Sequence, residues 1–305
     1  MILQIGADLL QPEWPGAVVC VGTFDGVHLG HRHVIENAVA LGSEQERPSV
    51  VVTFDRHPLA VIAPERKPPA LAPLEENLAQ IASTGASACV VMLFDRQLAE
   101  QTPDWFFENV MLRACRARHV VVGHDFRFGK DRAGDAAWLA ARIPATIVPP
   151  FQKDGRRVSS SEIRAHVSAG EVEAAALLLG RPFALRGVVV AGRKLGRQLG
   201  FPTINVARAT GDLLPADGVY AGRCRVNGHE GLAAINAGLR PTLNGPARTV
   251  EAHLLDYEGP PLYGATVRVE FLRRLREERR FPGLDALAEQ IRQDLAQVRK
   301  LLGGV

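Results

Sequence analysis

Two histidines, in the order His28-Leu29-Gly30-His31, sit inside VGTFDGVHLGHRHVI. The segment directly follows the strand-like run AVVCV at 17–21 and precedes a helical pattern beginning near Gly30 or His31. A helix N-terminus offers unpaired backbone N–H groups and the positive end of its dipole, which together suit a phosphate. Imidazoles fixed there can donate to an α-phosphate as it gathers negative charge during nucleotidyl transfer. The same short pattern also occurs as ordinary surface or capping histidines, so its weight comes from lying between strand and helix. A second element, VSSSEIRAHV at 158–167, has hydroxyls at Ser159, Ser160 and Ser161 able to cap the helix that carries Arg164. Plain capping explains it, and so does a second phosphate grip, because guanidinium binds phosphate oxygens in bidentate fashion. The third is VVGHDFRFGKDRAGD at 121–135. Asp125 and Arg132 there read either as loop ion-pair partners or, with Phe126 and Phe128, as a place for a flat aromatic ligand with polar edges.

The other half has a different set. GVVVAGRKLGRQLGFPTINV at 187–206 places Gly192, Gly196 and Gly200 around basic residues that include Lys194. Glycines let backbone amides close on phosphate oxygens, and lysine adds charge. Thr203 and Asn205 then offer hard oxygen atoms on alternate residues of a strand, hence on one face, where they can hold Mg²⁺ that bridges ATP phosphates. Glu251 begins the run VEAHLLDY. By position it is a solvent-facing strand carboxylate; by type it is also the group that accepts a hydroxyl proton in phosphoryl transfer to an alcohol.

These residues need elements to position them. In the first half, AVVCV, VVVTF at 50–54, ACVVML at 88–93 and RHVVVG at 118–123 alternate with helical stretches. The expected fold is α/β, a doubly wound, Rossmann-like parallel sheet of nucleotidyltransferase type, with ligands at the carboxyl ends of its strands. From Phe183 the runs LRGVVV, GVYAGRCRV, GLAAIN, VEAHLLDY and ATVRVEFL, separated by Gly, Pro and Asn, predict a closed antiparallel β-barrel. Leu284, Leu287, Ala288, Ile291, Leu295, Val298 and Leu302 form a helical stripe that should pack on it. Gly180 and Pro182 stop the preceding helix, so the expected domains are 1–182 and 183–305.

Composition narrows the class. The 305 residues are 47% hydrophobic and 23% charged with a net charge of +3, ordinary globular values that point to neither a membrane nor a nucleic-acid partner. RRLREERR at 273–280 reads as a solvated mixed-charge face. The start MILQIGADLL does not read as a signal peptide, so a cytoplasmic protein is expected. Four scattered cysteines without Cys-x-x-Cys predict buried, reduced thiols.

GTFDGVHLGH, FDRHP at 54–58, VVGHDFRFGKDRAGD and SSSEIR together resemble the ordered motifs of the FMN adenylyltransferase module of prokaryotic bifunctional riboflavin kinase/FAD synthetases. GRQLGFPTIN, NAGLRPT at 236–242, VEAHLLD, LYG and RVEFLRRLREERRF resemble the riboflavin kinase module. The resemblance runs from about residue 14 to 302, with each module's motifs in family order. It implies that Gly22, Thr23, Phe24, Asp25, His28, His31, Ser159, Ser160 and Arg164 bind ATP for adenylylation, while Asp125, Phe126, Phe128 and Arg132 help receive the flavin. It further implies that Gly192, Lys194, Gly196, Gly200, Thr203 and Asn205 bind the kinase ATP, that Thr203 and Asn205 hold the metal, and that Glu251 is the base. Riboflavin would become FMN with release of ADP, and FMN would become FAD with release of pyrophosphate; no macromolecular partner beyond a weak homo-oligomer is implied. The chain departs at FDRHP, where the family has Phe-Glu-Pro-x-Pro, at Ser161 for Thr and at Ile204 for Ala. Two other classes are weighed against this. A nucleotidyltransferase of other specificity, or a fragment of an aminoacyl-tRNA synthetase, would share the histidines, but a synthetase would carry a Lys-Met-Ser-Lys-Ser-like loop where this chain has SSSEIR. A flavin carrier without turnover would have no need of His28, His31, Arg164, Thr203, Asn205 and Glu251 together.

Overall fold

The computed structural model describes residues 1–6, 14–192, 196, 199–208, 211–242 and 245–303. Lys194 lies outside them. By compactness the chain divides into Met1–Ser160 and Ser161–Val305.

The first unit is a parallel sheet built from β1 (Ile2–Ile5), β2 (Ala17–Val21), β3 (Ser49–Phe54), β4 (Ala88–Met92), β5 (Ala117–Gly123) and, after the two-residue strands β6 (Arg127–Phe128) and β7 (Gly134–Asp135), β8 (Ala145–Val148). A hairpin of β9 (Gln152–Lys153) and β10 (Arg156–Arg157) follows. The sheet order is β1-β4-β3-β2-β5-β8, with every pair parallel. Parallel strands are covered on both faces, which is why AVVCV and ACVVM are apolar throughout and wholly buried. Val18, Cys20, Val51, Cys89 and Val91 pack on one face with Ile35 and Ala38 of α1 (Leu29–Glu44). After the short α2 (Leu59–Ile62), Ile81 of α3 (Leu74–Ala82) joins the same face. Val19, Val50, Val52, Val90 and Val120 pack on the other face against the π-helical segment Phe106–Ala114, which follows α4 (Arg96–Ala99) and α5 (Pro103–Trp105), and against Leu139 of α6 (Ala136–Ala140). From β2 the chain builds outward to β3 and β4, then returns to add β5 and β8 on the other side. The switch point therefore lies between β2 and β5, where such sheets bind ligands.

The second unit starts with α7 (Ser160–Ala169) and α8 (Val172–Leu179), continues through β11 (Phe183–Val190), β12 (Ile204–Ala207), β13 (Gly218–Val226), β14 (His229–Thr242), β15 (Gly245–Leu254) and β16 (Thr266–Arg276), and ends in α9 (Leu284–Leu302). The strands close into an antiparallel barrel in the order β11-β12-β15-β14-β13-β16. Gly180 caps α8 in the left-handed conformation, as its position before Pro182 suggested. Division by compactness nonetheless falls earlier than the expected 182/183 junction, because α8 packs on β11 and β16. Buried Leu295 and Val298 of α9 lie with Ala221 on the outside of the barrel, and Ile291 and Leu302 flank them. Leu284 of the same stripe is exposed.

Candidate active sites

The turn after β2 is built under tension. Gly22 continues the sheet by donating its N–H to Val52 O at 3.1 Å. Phe24 then drops into the core at 4% exposure, its ring edge-on to His31 with centroids 5.3 Å apart. Gly26 has φ +76° and a Cβ there would press on Leu71, while Val27, buried and β-branched, has φ +35°. A Val in that region is strained and persists only where its surroundings hold it. Two clamps do so. The Asp25 carboxylate accepts the N–H groups of Leu71 (3.0 Å) and Ala72 (3.3 Å), and Asn77 Oδ1 accepts the Gly26 N–H at 2.8 Å. The bonds seen for Asp25 and the burial of Phe24 thus serve the turn's shape, whereas resemblance placed both among the ATP contacts. Thr23 is half-buried beside them.

Helix α1 begins at Leu29, slightly earlier than the pattern predicted. His28 is its N-cap, Nδ1 accepting the His31 N–H at 3.2 Å. In a neutral ring whose Nδ1 accepts, the proton sits on Nε2, which becomes the donor. The two imidazoles stack with centroids 3.6 Å apart. Capping and ligand-facing donation are therefore compatible in one residue. A Cβ on Gly30 would lie 3.2 Å from the His28 ring and 3.3 Å from the Val158 carbonyl, so glycine lets the helix start approach the residue preceding Ser159. Ser159 and Ser160 close the first unit; Arg164 stands one turn into α7.

The loop after β5 opens at the same end of the sheet. Asp125 pairs with Arg157 on β10 at 2.6 Å, not with Arg132, which is exposed at φ +59°. Arg157 is a neighbour the sequence reading missed, although it immediately precedes the VSSS motif. Phe126 and Phe128 stack at 5.4 Å, but Phe128 is 8% exposed and belongs to the core between Phe106 and Trp138. Of the two, only the half-buried Phe126 retains a surface for a ligand. The loop's far end is fixed by Asp135, held below the usual carboxylate range by the Trp138 N–H it accepts and by Arg127.

On the barrel, Asn205 of β12 lies directly opposite Glu251 of β15, and Glu251 opposite Asn236 of β14. Alternation puts Val206, Val250 and Ala252 inside and this polar row outside, on the face that also carries Ala234 under α9. Glu251 lies in the middle of its strand rather than at the start, and at 9% exposure it is buried rather than solvent-facing. Thr203 falls one residue before β12. Described residues of the glycine motif lie close to this strand: Phe201 N–H reaches Gly196 O at 2.7 Å, Gly200 has φ +85°, and a Cβ on Gly192 would collide with the Asn205 carboxamide. His253, also missed, shares the outer face with Glu251 and contacts the Pro202 carbonyl through Nδ1 at 2.8 Å. Burial lowers its pKa, which favours the neutral ring that donates this bond. Among the described residues no three His, Cys, Asp or Glu converge as a metal cage. Thr203 and Asn205 instead offer neutral hard oxygens beside a carboxylate, with Gly192 packed so closely on the Asn205 carboxamide that only glycine fits, a donor set that suits Mg²⁺ arriving with phosphates.

RRLREERR is exposed at Arg273 and over 277–280, as a solvated mixed-charge face should be, but its middle is half-buried. Arg276 within it makes a bidentate pair with Asp294 of α9, itself 4% exposed. All four cysteines are free and buried, as expected.

A donor-lined turn at the switch point of a doubly wound sheet, together with a polar row around one buried carboxylate on a closed barrel, defines a two-part nucleotide-dependent transferase. A family model for FAD synthetase matches residues 10–162 and one for riboflavin kinase matches residues 179–302. The bifunctional riboflavin kinase/FMN adenylyltransferase of Bacillus subtilis is 35% identical over 294 residues, covering 94% of this chain and 92% of its own. That of Escherichia coli K12 is 35% identical over 302 residues, covering 97% and 96%. A crystal structure described as a macrolide-efflux protein from Streptococcus pneumoniae superposes with a TM-score of 0.88 at 29% identity, covering 98% of this chain and 99% of that one. Among the described residues no helix is long and apolar enough to cross a membrane. This chain belongs to the bifunctional riboflavin kinase/FMN adenylyltransferase family. Its C-terminal part is the riboflavin kinase and its N-terminal part the FAD synthetase, with ATP as co-substrate of both.

Proposed function

We propose a division of chemistry in which each part uses the residues its nucleophile requires. In the kinase, Glu251 accepts the proton of the ribityl 5′-hydroxyl as that oxygen bonds to the γ-phosphorus of ATP and the bond to the bridging oxygen breaks, releasing ADP. Burial beside Asn205 and Asn236 orients its carboxylate. Gly192, Gly196 and Gly200 bring backbone amides toward the phosphates, and Lys194 is assigned there by the motif alone. Thr203 and Asn205 hold Mg²⁺, which neutralises phosphate charge when bound.

In the synthetase, the FMN phosphate is already anionic and needs no base. Its oxygen bonds to the α-phosphorus of ATP and pyrophosphate leaves. His28, through Nε2–H, and His31 donate to the phosphate oxygens as charge builds. Gly22 and Thr23 line the turn, Ser159 and Ser160 add hydroxyls, and Arg164 is assigned to the same nucleotide by its motif. Phe126 offers the flavin an apolar face at the switch point, with Asp125 and Arg132 supplying polar edges.

The observation that carries this reading is the buried Glu251 directly opposite Asn205 on a different strand. Reciprocal variants test it. Glu251→Gln should abolish FMN formation from riboflavin yet keep conversion of supplied FMN to FAD. His31→Ala should do the reverse, leaving FMN to accumulate. Loss of both activities in either variant contradicts the division.

A further inference from the structure

The polar row on the barrel extends past the residues that the proposed chemistry uses. Directly opposed residues of an antiparallel pair share a face with Cβ atoms about 4.5–5.5 Å apart. Asn236 is so placed against Glu251. Its carboxamide donates Nδ2–H to Glu278 Oε1 at 3.0 Å. Two residues further along β14 and on the same face, Gly238 lacks a side chain where a Cβ would run into the Glu278 carboxylate. Glycine at that position is what admits the carboxylate over the strand.

Glu278 is presented from a fixed segment. Arg276 binds Asp294 of α9 through Nε at 3.0 Å and Nη2 at 2.8 Å, and its Nη1 donates to the Glu277 carbonyl at 3.0 Å. Gln290 Nε2 completes Asp294 at 2.8 Å. A half-buried arginine held bidentately by a buried, further supported carboxylate keeps one geometry. Bonded groups thus run from the terminal helix through Arg276 to the Glu277 carbonyl, one residue before Glu278, and from Glu278 to the neighbour of Glu251.

We propose that Glu278 is a positioning residue for riboflavin phosphorylation: it holds the Asn236 carboxamide in the row beside Glu251, so that the proton-accepting surface keeps a single arrangement. It acts through Asn236 and touches no reacting atom. The inference rests on reading Glu251 as the base.

The test uses the full chain, with FMN-to-FAD conversion in the same preparation reporting that the protein is folded. Glu278→Ala should lower kinase kcat about five- to tenfold, the scale of one ordinary intramolecular hydrogen bond, with KM for riboflavin and ATP within about twofold. Glu278→Gln keeps an acceptor for Asn236 and should recover most of the rate. Gly238→Ala, which displaces the carboxylate, should resemble Glu278→Ala. The Glu278→Ala/Asn236→Ala double variant should be no slower than the slower single, as for two residues in one bonded unit. Wild-type kcat in Glu278→Ala, equal damage in Glu278→Gln, or losses that multiply in the double variant would each overturn the proposal. Full turnover in Glu251→Gln removes the base reading itself; an inactive Glu251→Gln beside an unaffected Glu278→Ala removes only the positioning role.

Discussion

Replacing Asn77 by alanine removes the oxygen that accepts the Gly26 N–H at 2.8 Å, in a turn where Gly26 sits at φ +76° and buried Val27 at φ +35°. Loss of an acceptor for a buried amide costs about 1–3 kcal/mol. The second clamp, from Asp25 to Leu71 and Ala72, stays in place, so the effect belongs toward the lower end. At about tenfold per 1.4 kcal/mol, the equilibrium between the placed and displaced turn should shift roughly five- to twentyfold toward the displaced form, and kcat for FAD formation should fall by up to that factor. The assay is chromatographic turnover of FMN to FAD, with riboflavin phosphorylation by the same preparation as internal control. Asn77→Asp retains a side-chain oxygen and should keep most of the rate. Unchanged FAD formation in Asn77→Ala, or a parallel fall in both activities, would refute the view that this distant asparagine holds the adenylylation turn in particular.

His253→Ala unties Pro202 and should raise the kinase KM for ATP severalfold while sparing FAD formation; an unchanged KM would contradict the tie. Because the folded pKa of His253 lies below its ordinary value, its neutral-ring contribution to stability is complete above about pH 6.5 and declines as pH falls through the folded value. Denaturant unfolding of wild type and His253→Asn across that range should show the difference only on the acid side. Burial pushes the Cys224 thiol up to about 12 from 9.0, so its contribution is whole below pH 9 and is lost toward pH 12. Cys224→Ala should flatten the alkaline decline in unfolding free energy by about 1.4 kcal/mol per pH unit, and an identical slope would show that the thiol is already ionised in the fold.

The elements were legible where local pattern decides them. Continuous apolar runs gave the buried parallel strands β2 to β5, and turn-bounded runs gave much of the barrel. Strands β1 and β8 and the β9–β10 hairpin are short or exposed, and carry no comparable pattern. His28, His31, Thr203, Asn205 and Glu251 could be named as candidates because their motifs are contiguous. What escaped depends on contacts between distant segments. Asn77 reaches Gly26 across 51 residues, and Glu278 reaches Asn236 across 42, with nothing local to mark either. Burial was equally hidden: Glu251 looked solvent-facing yet is buried in its row between β12 and β14, and Phe128 looked available until Phe106 and Trp138 enclosed it.

The most direct measurement incubates the purified chain with riboflavin and Mg-ATP and separates the flavins over time. FMN should rise first and FAD follow at its expense, with ADP and pyrophosphate as co-products. A chain that forms neither FMN nor FAD would contradict the assignment of both sites.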